Sequence, residues 1–335
     1  MAGGRDGPRV SATAVFIQHT RHLSTRGAHV SDTLKDCSFC GRQRPRRSTR
    51  CPHCGRPSDF PNVEDAAAPS ELAALRRRYD DAVRDAEARG CKDELSDFEA
   101  AVAGGSKAIF ACPLTKLMPL VTGLHDLYAP YYKLAELRLP QGPPPSGTPN
   151  WEILRPVVET TMFGDEFKTE IHHAALTLDG RGLSSYGECF VSLRESMIAH
   201  RASVFEENSL LFMKRHNIKL FEVDRLPKGY RATWADRGLL AVAKLAGRIN
   251  SRTRSGQFPG LLMRAATKRT NDDFVEVHLF GPLTAFTFEK VTYMLNKAAA
   301  GRKSGKRSRP RRGDTNLMIL ADTLAKAGAE FESLK

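Results

Sequence analysis

Apolar positions recur at helical spacing in the first half of the chain and alternate at strand spacing in much of the second. Leu72, Leu75, Tyr79 and Val83 mark one helix face, with Ser70 at the N-cap position, charged residues from Arg76 to Asp85 on the wet side and Gly90 closing it. A second helix is expected through Glu94 to Val102, stopping at Gly104-Gly105. Leu114 to Val121 and Leu124 to Leu137 read as buried helices, with Tyr128, Tyr131 and Tyr132 as core or interface aromatics. Gln141 to Asn150 contains three consecutive prolines, through which neither a helix nor a central strand can run. Beyond it the spacing predicts strands over Ile171 to Leu178, Glu188 to Leu193 and Ala202 to Phe205. Leu239, Leu240, Val242, Ala243, Leu245 and Ile249 form a helical stripe, and Leu261 to Ala266 with Phe274 to Phe280 flank a hairpin turn at Asn271-Asp272-Asp273. Helices through Phe288 to Ala299 and Leu317 to Phe331 complete the expected α+β fold.

Four cysteines add chemistry to this pattern. Cys37-Ser-Phe-Cys40 and Cys51-Pro-His-Cys54 are two knuckles ten residues apart, the spacing of a structural Zn²⁺ site. The segment between them is polar and too short for its own core, so the metal would supply most of the module's folding free energy. His53 can replace a cysteine but is not needed. The expected organisation is a disordered basic arm (1–34), a zinc ribbon (35–60), a helical segment (66–140), a Pro-rich linker (141–150) and a mixed α/β domain (151–335). Cys91, Cys112 and Cys189 remain, an odd number that suits a reducing compartment, with cytoplasm as the expectation. No apolar run reaches the ~20 residues of a membrane span.

The net charge of +13 is concentrated. Lys297 to Arg312 holds eight basic residues and no acid: Lys297, Arg302, Lys303, Lys306, Arg307, Arg309, Arg311 and Arg312. The cysteine module adds Arg42, Arg44, Arg46, Arg47, Arg50 and Arg56. Such patches attract phosphate backbones by counterion release, so RNA or DNA is an expected partner; a solvated loop that keeps the chain soluble is the alternative.

In Phe274-Val-Glu-Val-His-Leu-Phe280, alternation directs Val275, Val277 and Leu279 to one face and Phe274, Glu276, His278 and Phe280 to the other. Glu276 to Pro282 resembles the glutamate strand of the ADP-ribosyltransferase-like toxin fold, where a catalytic Glu precedes a Gly-Pro turn. Leu183-Ser-Ser-Tyr-Gly187, the strand to Leu193 and Arg201 to Ser209 are similar to the segment these enzymes place around nicotinamide. The resemblance covers Ile171 to Val291. It implies NAD⁺ as substrate, His172 or His173 on a ribose, Tyr186 stacked on nicotinamide, Ser209 in a polar serine position and Arg201 at the pyrophosphate. Glu276 would stabilise the oxocarbenium-like transition state. Phe274 stands where arginine-modifying relatives carry Glu or Gln, which turns the expectation away from arginine and toward a nucleic-acid or nucleotide acceptor. The rival readings are a non-enzymatic zinc-ribbon protein that binds nucleic acid, and an adaptor for a protein partner. Cys189 beside Glu188 is either a nucleophile or a small buried hydrophobe.

Overall fold

Two short strands, β1 (Leu34–Asp36) and β2 (Gln43–Pro45), pair antiparallel in the cysteine module. Eight further strands, from widely separated parts of the chain, hydrogen-bond into one mixed sheet. They are β3 (Lys107–Cys112), β4 (Ile171–Thr177), β5 (Cys189–Leu193), β6 (Ala202–Phe205), β7 (Arg231–Thr233), β10 (Glu276–Phe280), β11 (Phe288–Met294) and β12 (Glu330–Leu334). Their order across the sheet is β12-β11-β5-β3-β4-β10-β6-β7. Only β11 and β12 of this sheet run parallel. A second small antiparallel pair, β8 (Met263–Arg264) with β9 (Asp273–Phe274), stands apart from it. The computed structural model describes residues 34–37, 40–45, 48, 50–55, 60–123, 128, 130, 150–164, 167–218, 226–267, 271–295 and 312–334. All of them fall in one unit, Asp32–Lys335.

The longer helices are α1 (Pro61–Ala66), α2 (Pro69–Ala88), α3 (Lys92–Gly105), α4 (Leu114–Thr122), α5 (Asn150–Phe163), α6 (Ser209–Arg215), α7 (Arg237–Leu245) and α8 (Arg312–Lys326). One sheet face presents Ala174, Leu176, Val191, Leu193, Val204, Val277 and Leu279 to Leu75 of α2, Phe98 and Val102 of α3, Leu240 of α7, and Leu320 and Leu324 of α8. Burial of the Val, Leu and Phe side chains among them, at roughly 1.5–3 kcal/mol each, drives assembly of the helical layer on the sheet. The other face is divided. Around β4, β6 and β10, Val158 and Met162 of α5 and Phe212 and Met213 of α6 meet Ile171 and Phe205. Over β3 and β5 a smaller group of Ile109, Ala175, Leu183, Phe190 and Phe274 takes their place.

Several expectations change. Lys107–Cys112 is a strand between β4 and β5, not part of a helical segment, so residues from both sides of the Pro-rich stretch build the sheet. Phe288–Met294 is also a strand: Val291, Thr292 and Tyr293 favour a pleated surface, and hydrogen-bonding partners lie on both sides. The last helix ends at Lys326, and Glu330–Leu334 adds a strand beside β11. The hairpin at Asn271-Asp272-Asp273 is only a two-residue pairing, because Glu276–Phe280 leaves it to enter the main sheet between β4 and β6. Pro69 occupies the first helical turn of α2, which moves the cap to Ala68 and puts Ser70 inside the helix. Of the expected helix Leu124 to Leu137, only Tyr128 and Pro130 are described; Tyr128 makes an isolated bridge to Leu283. Of the expected arm 1–34 and linker 141–150, residues 1–33 and 141–149 lie outside the described residues, while Leu34 begins β1 and Asn150 opens α5. Among the described residues no helix is long and apolar enough to cross a membrane.

Candidate active site

The pleat of β10 and its register with β4 build the site. His278 lies opposite His173, and Val277 opposite Ala174, so the alternate residues Glu276 and His278 share the α5/α6 face with His173. The same register sets His172 opposite Leu279, on the helix-covered face. One residue along a strand reverses the side, and the two adjacent histidines part company. His172 packs with its ring centroid 5.0 Å from that of Tyr128. Burial, reinforced by the charges of His173 and Arg201, pushes its pKa down to about 3.

Glu276 is 1% exposed and fully engaged. One carboxylate oxygen lies 3.4 Å from His173 Nδ1; the other lies 3.2 Å from His278 Nε2 and accepts the Ser209 backbone N–H at 3.1 Å. Ser209 opens α6, whose N-cap Asn208 accepts the Leu210 N–H through its side chain. Beyond His173, its Nε2 is 3.1 Å from Glu159 Oε2 on α5, a completely buried carboxylate. The result is a chain of alternating acid and imidazole, His278–Glu276–His173–Glu159. Burial works against the charged form of Glu276, but hydrogen bonds from both histidines outweigh it and hold the carboxyl well below its usual range. Burial likewise opposes protonation of His173, yet the two carboxylates raise it to about 9. His278, more affected by burial than by its partner, is lowered.

Glu276 and His173 form the polar end of a pocket with about 480 Å³ of empty space, part of it continuous with solvent. Asn208 and Arg155 also line it, while Ile109, Phe110, Leu183, Tyr186 and Phe274 supply apolar walls. A largely apolar recess with a few convergent polar groups suits a flat ring or sugar carrying a polar edge. Tyr186 ends the single turn Ser184–Tyr186, and Gly187 follows with φ of 152°. A Cβ at Gly187 would lie 2.0 Å from the Cys112 carbonyl carbon, so only glycine lets this turn sit against the end of β3.

Of the residues expected around a nucleotide, His173, Tyr186 and Glu276 line this one pocket, and Ser209 reaches Glu276 through its backbone N–H. His172 and Arg201 do not line it. Arg201 donates to the Phe280 and Pro282 carbonyls at 2.8 and 2.9 Å and to the Met197 carbonyl at 3.1 Å, clamping the turn that follows β10. Glu159, His278 and Asn208 join the site without having been assigned roles from the sequence. Glu159 had a signal: it is an acid on the helix face that also carries Val158 and Met162, where an aliphatic residue would be ordinary.

The four cysteines converge as their spacing predicts. Cys37 Sγ is 3.8 Å from Cys54 Sγ, and Cys40 Sγ is 3.7 Å from Cys51 Sγ. Tetrahedral zinc with bonds of about 2.3 Å puts its sulfurs about 3.8 Å apart, so the group can hold Zn²⁺. Each knuckle closes on a glycine with positive φ, and the N–H groups of Gly41 and Gly55 each donate 2.9 Å to the carbonyl of the knuckle's first cysteine. His53 stands aside, its Nε2 3.0 Å from the Gln43 carbonyl. Arg44 does not add to the basic surface: it is 1% exposed and pairs with Glu64 of α1 at 3.2 Å. Arg302, Lys303, Lys306, Arg307, Arg309 and Arg311 lie outside the described residues, and Arg312 opens α8. Cys189 is fully buried beside Cys112, and burial drives both thiols up to about 12, which leaves neither suited to nucleophilic attack. Comparison of the chain with family models and with curated proteins gives no match.

Proposed function

We propose that this pocket cleaves the nicotinamide–ribose bond of NAD⁺ and transfers ADP-ribose to an acceptor, with nucleic acid as the acceptor class. One observation carries the reading: Glu276, His173 and Tyr186, separated by up to about a hundred residues in sequence, line a single pocket with a charged inner end. Tyr186 offers a ring face for the nicotinamide, and His173, with one nitrogen on Glu276 and the other on Glu159, holds the catalytic carboxylate in place beside the ribose. Glu276 remains ionised at neutral pH and is held by His173, His278 and the Ser209 N–H, so its charge needs no reorganisation during the reaction. As the glycosidic C–N bond breaks, its electron pair leaves with neutral nicotinamide and positive charge appears on the ribose. A fixed carboxylate in low dielectric favours that charge at the barrier top more than in the ground state. An acceptor oxygen or nitrogen then bonds to the anomeric carbon and releases its proton to water. The reading does without His172 and Arg201. The cysteine module and the basic segment around Arg302 to Arg312 would bring the nucleic acid to the pocket.

The test is transfer of labelled ADP-ribose from NAD⁺ in the presence of RNA, of DNA and of whole-cell extract with and without nuclease. Glu276→Gln keeps the shape and removes the charge, and is expected to lower the rate by roughly 10²–10³-fold, the scale of losing one electrostatic stabiliser. No NAD⁺ turnover under any of these conditions, or full turnover by E276Q, overturns the reading.

A further inference from the structure

We infer that His173, His278 and Glu276 form a binding site for a divalent transition-metal ion of the zinc group, separate from the four cysteines. One ligand atom from each of the three lies within 4.8 Å of the other two, and none of the three residues needs to move to another face. His173 Nδ1 lies 3.4 Å from one Glu276 oxygen and His278 Nε2 lies 3.2 Å from the other, so both ring nitrogens face the same carboxylate, and an ion drawing all three inward to bonds near ~2.0–2.1 Å needs only small side-chain shifts. Two imidazoles and one carboxylate make a mixed nitrogen and oxygen set suited to Zn²⁺, and less to Mg²⁺, which prefers all-oxygen shells.

An independent feature points the same way. Glu159 is a completely buried carboxylate directed at the far nitrogen of His173, 3.1 Å away. By accepting a hydrogen bond from Nε2–H, Glu159 favours the neutral tautomer whose Nδ1 lone pair faces Glu276 and His278. This carboxylate–histidine relay is the usual outer support of a metal-bound imidazole. It also sets two buried carboxylates on either side of His173, and a divalent ion that takes the place of the proton His173 holds between them balances both. Because His173 and Glu276 also line the pocket, the ion would have one side open to it. Three protein ligands with an open position is the arrangement of a reactive rather than a structural zinc site. The closed Cys37, Cys40, Cys51 and Cys54 set has no such opening. The metal site does not depend on NAD⁺ chemistry. An ion bound there would occupy Glu276, so added Zn²⁺ is expected to suppress any NAD⁺ cleavage by the pocket.

The purified full chain is titrated with Zn²⁺ by calorimetry with metal content counted, and in parallel with Co²⁺ by absorption spectroscopy. An equivalent beyond that held by the cysteines is expected, with Co²⁺ d–d bands that lack thiolate charge transfer. His278→Gln and Glu276→Gln should each weaken it by at least tenfold, and Glu159→Gln by ~10–100-fold as a positioning residue. His172→Gln, on the opposite face, should leave it unchanged. Absence of any further equivalent in the unaltered protein, thiolate bands on that equivalent, or its survival in both H278Q and E276Q overturns the proposal. The Co²⁺ spectrum needs only the unaltered protein, so the result stands even where a variant does not fold. Metal binding without NAD⁺ turnover sinks the proposed activity and leaves this site standing; turnover without the further equivalent does the reverse.

Discussion

The two groups of side chains that could hold a metal ion arise in opposite ways. Cys37, Cys40, Cys51 and Cys54 come together within a short loop, through two turns that each close on a glycine. His173, Glu276 and His278 come together because two strands about a hundred residues apart pair in one register, with Glu159 added from a helix. The first kind of site is a property of local geometry, and with no core of its own such a module would depend on a bound ion for its stability. The second is a property of the sheet, present only where the whole core has formed. A local group can therefore be lost without the sheet, whereas the buried acid–imidazole chain cannot rearrange without disturbing the strands that carry it.

This contrast can be broken or sharpened by experiment, starting with the largest effect. Cys51→Ser should remove zinc from the knuckles, forfeiting local folding free energy on the order of 10 kcal/mol. Hydrogen exchange should then show residues 34–55 open while amides of β4 and β10 stay protected. Loss of protection throughout the sheet would show that the contrast is false. Next, Glu159→Ala takes from His173 one of its two buried carboxylate partners and should cost on the order of 3 kcal/mol in urea unfolding, because a buried charge network is weakened most by removing a single member.

A third effect is acid sensitivity. His172 is neutral in the fold, with a pKa of about 3 against an ordinary 6.5. The unfolded chain therefore takes up a proton there first, and stability present above pH 6.5 is lost as pH falls toward 3. At pH 5 the loss is about 2 kcal/mol, and His172→Gln should flatten that part of the pH profile of urea unfolding. An unchanged profile would mean the ring is not buried neutral. Smallest is His53→Ala, which should leave zinc stoichiometry intact and cost under about 1 kcal/mol, since His53 gives the knuckle one exposed hydrogen bond to Gln43. Loss of the ion in this variant would make His53 a ligand.

Legibility from the sequence follows the same division. Residue spacing alone predicts the four-cysteine group, and alternation places Glu276 and His278 on one face of their strand, because both depend on neighbours along the chain. Nothing in His172-His173 announces which ring meets Glu276; that depends on pairing with a distant strand. Lys107–Cys112 is easily passed over because a short run of Ala, Ile, Phe and Ala fits helix and strand equally well, and only partners on both sides make it a strand. Phe288–Met294 is decided in the same way by β5 and β12. Arg44 counts toward surface charge by composition and is instead enclosed against Glu64, a contact with another element that local sequence cannot reveal.

The position of Lys107–Cys112 at the sheet's centre bears on how the protein is made. Its neighbours on either side, Ile171–Thr177 and Cys189–Leu193, emerge from the ribosome some sixty to eighty residues later, and the glutamate strand about a hundred residues after that. The early helices must wait with their apolar sides unsheltered until those partners arrive, so assembly is governed by long-range closure and should be slow. Expression of the region after the prolines by itself would leave a gap between two strands, and such a fragment should aggregate where the whole chain does not.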